Sequence, residues 1–253
     1  MNDPYVYPGT EVLINKLNIM DVEELAIVEN KLTLARMKLI REKNLVKGNY
    51  DYEHLKAYHK YIFQDIYEWA GEQRTVNIEK SELVLNGLLF KHSNVENIEV
   101  EITNSLNRLN DVNWGIASLE EKVDKFTVAL SDVWKAHAFR EGNTRTTITF
   151  FMQYAKEHGF PLNDKLISDN IKYVRDSLVA SSYEDKEIGI SRNFTYLNRI
   201  IRDSLESYEH QAFHRKTLED IKEDINKNKT NKHNSFANKN ENINNKKASD
   251  KER

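Results

Sequence analysis

Apolar residues recur at helical spacing along most of the chain, and few residues interrupt that pattern. The 253 residues include only three prolines and eight glycines, which are the two residue types that most often end a helix. One helix is predicted to begin after Asp21, with Glu24 completing a capping box, and a second is predicted from about Asp51 to Gly71. The sequence therefore predicts a mostly α-helical protein.

Residues 74–92 depart from the helical pattern. Thr75–Ile78 and Leu83–Leu85 are rich in β-branched and apolar residues, and the pair Asn86-Gly87 is a strong signal for a tight turn. We expect one small β-hairpin here, inside an otherwise helical chain.

The residue types present exclude several classes of protein. The chain contains no cysteine, which rules out disulfides, thiolate nucleophiles and cysteine-ligated metal sites. Its apolar runs fall short of the roughly 18 residues of a membrane span, and the first residues lack the features of a signal peptide. We therefore expect a cytoplasmic protein with no membrane partner.

Charge is distributed unevenly along the chain. Residues 226–253 contain eight Lys or Arg and three Asp or Glu, whereas residues 1–225 carry a net charge of −8. The 226–253 segment is rich in Asn and Lys and poor in apolar residues, so it is predicted to be a disordered tail. The acidic body argues against specific binding of nucleic acid.

Residues 137–146 combine the side chains that phosphate chemistry requires. Gly142 permits a tight turn, and the free N–H groups that follow it at the start of a helix form a binding site for an anion. Arg145 in that first turn opposes the helix dipole, which indicates a negatively charged ligand. Glu141 beside a phosphate needs a cation, and Mg²⁺ commonly binds carboxylates together with phosphates. His137 can act as a base near neutral pH.

Each of these residues alone is ordinary, but their combined spacing resembles the motif of the Fic family. That motif, His-x-Phe-x-(Asp/Glu)-Gly-Asn-(Gly/Lys)-Arg-x-x-Arg, is filled from His137 to Arg145. Residues 67–74 resemble the family's Trp-Ala-Gly helix end, and residues 78–90 resemble its flap hairpin. The resemblance implies an all-α, Fic-type helical bundle with one small β-hairpin flap. It also implies transfer of AMP from ATP to a Ser, Thr or Tyr hydroxyl of a protein target.

The resemblance assigns a role to each motif residue. It implies that His137 is the general base, that Glu141 holds Mg²⁺ and that Phe139 is a buried anchor. The nucleotide phosphates would be bound by Gly142, Asn143, Thr144 and Arg145, and the protein target by the flap residues Lys80, Leu83 and Leu88. For Leu83 and Leu88 the alternative is simple hairpin packing.

Three positions depart from the family motif. Ala138 replaces a frequent proline, and Thr144 stands where Gly favours AMP transfer and Lys marks the phosphate-transferring death-on-curing branch. Ile148 occupies the place of the second arginine. Two alternatives therefore stay open: a Fic-fold phosphotransferase or other nucleotidyl transferase, and a catalytically silent nucleotide-binding module.

The family's inhibitory motif, (Ser/Thr)-x-x-x-Glu-(Gly/Asn), has a partial match at residues 25–30. Leu25 breaks that match, and the arginine that the glutamate would contact is absent at Ile148. We therefore expect Glu29 to be a solvent-facing residue of an amphipathic helix. A separate small antitoxin is then a candidate partner. Because some members of the family are injected into other cells, the resemblance adds a translocated effector as an alternative to a protein that stays in the cytoplasm of its own cell.

The patterns divide the chain into four parts. These are an N-terminal segment and helix packed on the core (1–50), the Fic domain (51–200, with the flap at about 74–92 and the motif at 137–148), a C-terminal helix (201–225) and the disordered Asn/Lys-rich tail (226–253).

Overall fold

A computed structural model of the protein describes residues 3–210. The helices of the first compact unit, Met1–Leu205, are α1 (Val22–Lys43), α2 (Tyr52–Phe63), α3 (Ile98–Asn110), α4 (Leu119–Ala136), α5 (Asn143–Glu157), α6 (Asp164–Asp169) and α7 (Ile171–Ser182), followed by helical residues 195–205. Its strands are β1 (Glu79–Ser81) and β2 (Leu89–Lys91). In the second unit, Glu206–Arg253, the described residues 206–210 are helical. The predictions for 211–225 and for the tail at 226–253 lie outside the described residues.

Side-chain caps determine where several of the helices begin. The Asp21 carboxylate accepts the N–H of Glu24 at 2.8 Å, and the Ser118 hydroxyl accepts the N–H of Glu121 at 3.2 Å. Each bond satisfies a backbone donor that has no partner within its own helix. The predicted start of α1 is confirmed.

The second helix ends earlier than predicted. It stops at Phe63 instead of continuing to Gly71, and the N–H groups of Ile66 and Tyr67 both donate to the Phe63 carbonyl. The Ile66 carbonyl, which a longer helix would use internally, accepts the N–H of Lys16 at 2.8 Å. The N-terminal segment thus occupies a carbonyl group that a longer α2 would need for its own hydrogen bond.

The hairpin is confirmed, but its strands are not the predicted segments. β1 and β2 pair antiparallel, with Lys80 opposite Phe90. Leu83–Leu85 form a 3₁₀ turn rather than a strand, because Asn86 and Gly87 adopt positive φ angles of 55° and 83° and fold the chain back onto Glu82. Neither predicted strand segment, 75–78 or 83–85, is therefore a strand in the structure.

The core lies between the layers of this helical bundle. Helix α4 packs against α3, α5 and α7, and α2 packs against α1 and α5. Large aromatic side chains fill the space, including the fully buried Tyr58, Phe126, Trp134, Phe150 and Phe151. The all-α architecture with one small hairpin is confirmed. No helix within residues 3–210 is long and apolar enough to cross a membrane.

The hairpin is attached to the bundle by a partly buried ion pair. The side chain of Glu82, only 4% exposed, accepts two hydrogen bonds of 2.5 Å from the guanidinium of Arg175 on α7. A bidentate pair of this kind fixes direction as well as distance. The hairpin thus has a defined position relative to α7.

Candidate active site

The motif residues lie in the short connection between α4 and α5. His137 ends α4 with a left-handed backbone (φ 53°), and Gly142 precedes α5 with φ 79°. These two positive φ angles turn the chain at both ends of the connection. The structure therefore brings together all the motif residues predicted to act on phosphate, from His137 to Arg145.

Asn143 holds the connection in shape. Its side-chain amide donates to the Phe139 carbonyl at 2.7 Å, and its side-chain oxygen accepts the Phe139 N–H at 2.9 Å. The Phe139 ring is buried and stacks on the His59 imidazole, with ring centroids 3.8 Å apart. Because the Asn143 side chain is buried and both of its polar atoms bond to Phe139, its backbone N–H is the donor left for an anion.

His59, which the sequence reasoning missed, links the motif to the turn that follows α2. Its Nδ1 accepts the N–H of Gly71 at 2.8 Å, so Nε2 carries the proton and donates to the Glu141 carbonyl at 3.0 Å. Burial lowers the pKa of His59 to about 3. The ring is therefore a neutral, fixed bridge.

Gly142 is required by both backbone angle and space. A Cβ atom there would lie 2.1 Å from Cζ of Phe63, whereas at Gly159, with a similar φ of 81°, it would meet nothing within 4 Å. Each Gly→Ala variant is expected to lose roughly 1–2 kcal/mol through left-handed strain. Gly142→Ala is expected to lose about 1–3 kcal/mol more through overpacking. Urea unfolding of both variants measures the difference, and equal losses would contradict this role of Phe63.

The first turn of α5 offers N–H donors to an anion. Its first internal bond is donated by Thr146 to the Gly142 carbonyl at 3.0 Å, so the preceding N–H groups have no acceptor within the helix. The Thr144 hydroxyl accepts the indole N–H of Trp134 at 2.9 Å, which ties the start of α5 to α4. Thr144 thus contributes a backbone donor, while its side chain faces Trp134.

Arg145 is held by an acidic residue from another helix. Its guanidinium lies 2.5 Å from the Glu29 carboxylate of α1, 3.2 Å from the Thr33 hydroxyl and 3.2 Å from Glu141. It also lies over the Phe63 ring, 4.8 Å from its centroid. The arginine predicted to bind phosphate is therefore engaged by protein carboxylates.

The expectation that Glu29 faces solvent is wrong. Glu29 is 8% exposed, and it accepts a second hydrogen bond from the Tyr67 hydroxyl. Burial raises the pKa of Tyr67 above its ordinary value, and the negative charge of Glu29 raises it further. The sequence signal was present in the partial inhibitory motif, but the glutamate pairs with Arg145 instead of an arginine at position 148.

Ile148 belongs to the core rather than to the phosphate site. Its side chain is buried, and it lines a small apolar cavity together with Phe126, Leu130, Phe151 and Met152. The place of the family's second arginine is thus taken by packing between α4 and α5.

His137, at the end of α4, is half-buried, and its Nδ1 atom is enclosed by the protein. Its carbonyl accepts a bond of 2.7 Å from Arg74, while its Nδ1 makes no well-formed hydrogen bond within the described chain. Desolvation lowers the pKa of His137 well below its ordinary value, and electrostatic interaction with His92 and Arg74 lowers it further, against a raising effect of the Trp134 carbonyl. The imidazole is therefore neutral at pH 7, the form in which one ring nitrogen has a free lone pair.

A buried histidine, His92, covers the His137 ring. The two imidazoles are stacked, with centroids 3.7 Å apart and planes at 22°. The pKa of His92 is lowered to about 4, mainly by burial, while the Lys135 carbonyl opposes this shift and the charges of Arg74, Lys80 and Arg175 add to it.

The lowered pKa of His92 predicts a loss of stability in acid. In the unfolded chain this histidine takes up a proton below about pH 6.5, whereas the folded protein excludes it down to about pH 4. The free energy of unfolding should therefore fall as the pH decreases through this window, by up to about 1.4 kcal/mol per pH unit for this residue. Urea unfolding at several pH values tests this. In His92→Phe the free energy of unfolding should fall less steeply as the pH decreases, by up to about 1.4 kcal/mol per pH unit, which corresponds to one proton. An unchanged slope would contradict the prediction.

The predicted flap residues lie on the hairpin surface. Leu83 is 93% exposed and Leu88 is also exposed, so hairpin packing does not account for Leu83. Lys80 on β1 is exposed, and its charge contributes to lowering the pKa of His137. The hairpin thus presents apolar side chains to solvent and a cation toward the motif.

Glu141 is the candidate ligand for Mg²⁺. No group of three or more acidic, His or Cys residues that could hold a metal occurs within residues 3–210. The Glu141 side chain is 44% exposed, and one of its oxygens accepts the Gly142 N–H at 2.8 Å. A single accessible carboxylate beside helix N–H donors fits an ion that shares its coordination with substrate phosphates.

Comparison with known proteins identifies the family to which the chain is similar. A sequence model of the Fic/DOC family matches residues 49–155. The chain is 33% identical over 162 residues to "Protein adenylyltransferase VbhT" of Bartonella schoenbuchensis, covering 64% of this chain and 32% of VbhT. It is 30% identical over 183 residues to "Probable protein adenylyltransferase y4lH" of Sinorhizobium fredii, covering 72% of this chain and 88% of y4lH. The chain thus spans about a third of VbhT and most of y4lH.

Solved structures share the fold. The BepC protein of Bartonella tribocorum, a VirB-translocated effector with bound AMPPNP, aligns with a TM-score of 0.63 at 20% identity, covering 79% of this chain and 95% of that one. The type IV secretion system effector BepA aligns with a TM-score of 0.60 at 24% identity, covering 82% and 73%. The match to y4lH, which covers 88% of that relative at 30% identity, and the Fic/DOC sequence model over residues 49–155 show that the chain belongs to the Fic family.

Proposed function

We propose that the protein transfers AMP from ATP to a Ser, Thr or Tyr hydroxyl of a protein target. Family membership and relatives named as protein adenylyltransferases support a transferase of this type. The observation that carries the proposal is the position of a half-buried, neutral His137 in the same connection as the N–H donors of α5. A base and an anion site side by side suit attack of a hydroxyl on a phosphate.

In the proposed reaction the target hydroxyl oxygen forms a bond to the α-phosphorus of ATP. The bond from that phosphorus to the bridging oxygen of the β-phosphate breaks, and pyrophosphate leaves. The hydroxyl proton passes to Nε2 of His137, because Nδ1 is buried. A neutral imidazole is the protonation state that this step requires.

The phosphates are proposed to lie at the start of α5. The backbone N–H groups of Asn143 and Thr144 would bind phosphate oxygens, and Gly142 allows their close approach. Glu141 would hold Mg²⁺, which neutralises phosphate charge. Arg145 would stabilise the negative charge that develops on the leaving pyrophosphate, once Glu29 has released it. The AMPPNP in BepC supports ATP as the nucleotide.

The hairpin is proposed to bind the target. An extended segment that adds a strand to the hairpin would gain main-chain hydrogen bonds without a strict sequence requirement, and the exposed Leu83 and Leu88 would contact its side chains. We propose that the reaction takes place in cytoplasm, either in the producing cell or in a cell into which the protein is translocated. A small antitoxin is a further proposed partner, since the Glu141 side chain is 44% exposed and can be contacted from outside.

The position of a radioactive label tests the reaction. Purified protein, in the wild-type and Glu29→Ala forms, is incubated with cell lysate, Mg²⁺ and ATP labelled at either the α- or the γ-phosphate. We expect a protein band that is labelled only from α-labelled ATP. The band should be stronger with Glu29→Ala than with the wild-type protein, and absent with the double variant Glu29→Ala, His137→Ala. A band labelled only from γ-labelled ATP would replace the proposal with phosphate transfer.

A catalytically silent module is the second candidate. The contact of Arg145 with Glu29 favours it, because the arginine is not free to bind phosphate in this conformation. Titration with ATP separates the two candidates. Binding of ATP by Glu29→Ala with no label transfer from either form of ATP would support the silent module.

A further inference from the structure

Catalytic bases are usually oriented by a hydrogen bond from a third group, and His137 lacks a well-formed one. Its Nδ1 is buried and makes no such bond within residues 3–210. Arg74 fixes the His137 carbonyl rather than the ring. The contacts that define the ring plane are therefore aromatic ones.

His92 supplies the closest of these contacts. Its imidazole lies parallel to that of His137, with centroids 3.7 Å apart, whereas the Trp134 ring meets His137 edge-on at 5.9 Å. A stacked ring prevents rotation of the His137 side chain out of its plane, and rotation would move the reacting nitrogen.

His92 is itself held in place from several directions. Its Nδ1 donates to the Lys135 carbonyl at 3.1 Å, which fixes the tautomer with the proton on Nδ1. The ring also packs against Trp134 at 5.5 Å and against Phe90 at 4.7 Å. Its side chain is buried, and it carries no charge at pH 7 because its pKa is lowered to about 4. A neutral, fixed ring stacks without repelling a proton that arrives on His137.

His92 also connects the base to the hairpin. It directly follows β2, and its backbone N–H donates to the Ile78 carbonyl at 3.1 Å on the chain leading into β1. The stacked pair therefore joins the end of the hairpin to the end of α4.

We propose that His92 is a positioning residue, which holds the imidazole of His137 in its reactive orientation by ring stacking and couples that orientation to the hairpin. This rests on the proposed function of His137 as the base. Removal of the stacked ring should lower the rate of the chemical step while leaving the phosphate site intact.

Two substitutions separate stacking from other effects. In the Glu29→Ala background, His92→Leu removes the ring, and we expect kcat to fall about 10- to 100-fold, as displacement of a reacting group does. The KM for ATP should stay unchanged. His92→Phe restores a flat ring without the hydrogen bond to Lys135, and it should recover most of the lost kcat. Equal losses of kcat in both variants would overturn the proposal.

A matched variant controls for loss of a buried histidine. His54 on α2 is also buried and bonds Tyr50 and the Val46 carbonyl, with no role in the motif. His54→Leu should lower the unfolding midpoint in urea as His92→Leu does, but leave kcat unchanged. If kcat falls equally in His54→Leu, the effect of His92 is structural and the proposal fails.

Nuclear magnetic resonance of the histidine rings gives a readout that needs no activity. The ring current of His92 should shift the ring protons of His137, identified by their absence in His137→Asn. That shift should disappear in His92→Leu and persist in His92→Phe. An unchanged His137 signal in His92→Leu would overturn the stacking proposal. If no variant transfers AMP, the proposed function fails, while the ring signals still decide whether His92 orients His137.

Discussion

Replacement of His137 by alanine should lower the rate of AMP transfer by about 10²- to 10⁴-fold, which is the usual contribution of a positioned general base. The affinity for ATP should stay within a few fold of the wild-type value, because the N–H donors at the start of α5 do not depend on the imidazole. Initial rates with α-labelled ATP, in the Glu29→Ala background, measure the first quantity. Titration with a non-hydrolysable ATP analogue measures the second.

A histidine away from the motif provides the control. His158 lies at the end of α5 and stacks on Tyr154, so His158→Ala removes an imidazole from the same helix without altering the proposed site. We expect its transfer rate to match that of the parent. A His137→Ala protein that retained full activity would show that another group takes the proton.

Replacement of Glu29 by alanine should raise the rate of AMP transfer by about tenfold to a hundredfold. A hydrogen bond between charged, largely buried groups contributes about 1.5–3 kcal/mol, and each 1.4 kcal/mol corresponds to a factor of about ten. Removal of the carboxylate frees Arg145 from its bond of 2.5 Å and makes it available to phosphate. The apparent Kd for ATP should fall together with the rise in rate.

The neighbouring residue separates this effect from a change in the helix. Asn30 is exposed on the same turn of α1, and Asn30→Ala should leave both the rate and the Kd for ATP unchanged. Glu29→Gln tests the charge, because it keeps the size of the side chain and should still raise the rate. Inhibition by Glu29 would be excluded if all three variants behaved like the wild-type protein.

Local features of the fold could be predicted from sequence because their causes are local. The start of α1 depends on Asp21 and Glu24, three residues apart, and the motif occupies one continuous segment. The hairpin was placed correctly in the chain from Asn86-Gly87, although the strands themselves were not. The exact strand segments depend on pairing between residues such as Lys80 and Phe90, which composition does not specify.

The features that sequence reasoning missed arise from contacts between distant segments. The end of α2 depends on Lys16, about fifty residues earlier, and no residue near Phe63 signals it. The solvent-facing interpretation of Glu29 followed from helical periodicity and from the missing arginine at position 148. It failed because a different arginine, Arg145, supplies the counter-charge. The roles of His59 and His92 could not be predicted from sequence either, because each ring stacks on a residue that is distant in the sequence.

The separation of 116 residues between Glu29 and Arg145 has a consequence for biosynthesis. A ribosome makes the N-terminal part of a chain first, and that part is available for folding before the rest is complete. Helix α1 has therefore left the ribosome well before the segment with His137 and Arg145 does. From the first moment at which the proposed phosphate site can assemble, the Glu29 carboxylate that contacts Arg145 is present on the same molecule. For an activity that harms the cell that makes it, this order of synthesis would leave no interval in which Arg145 is present without Glu29.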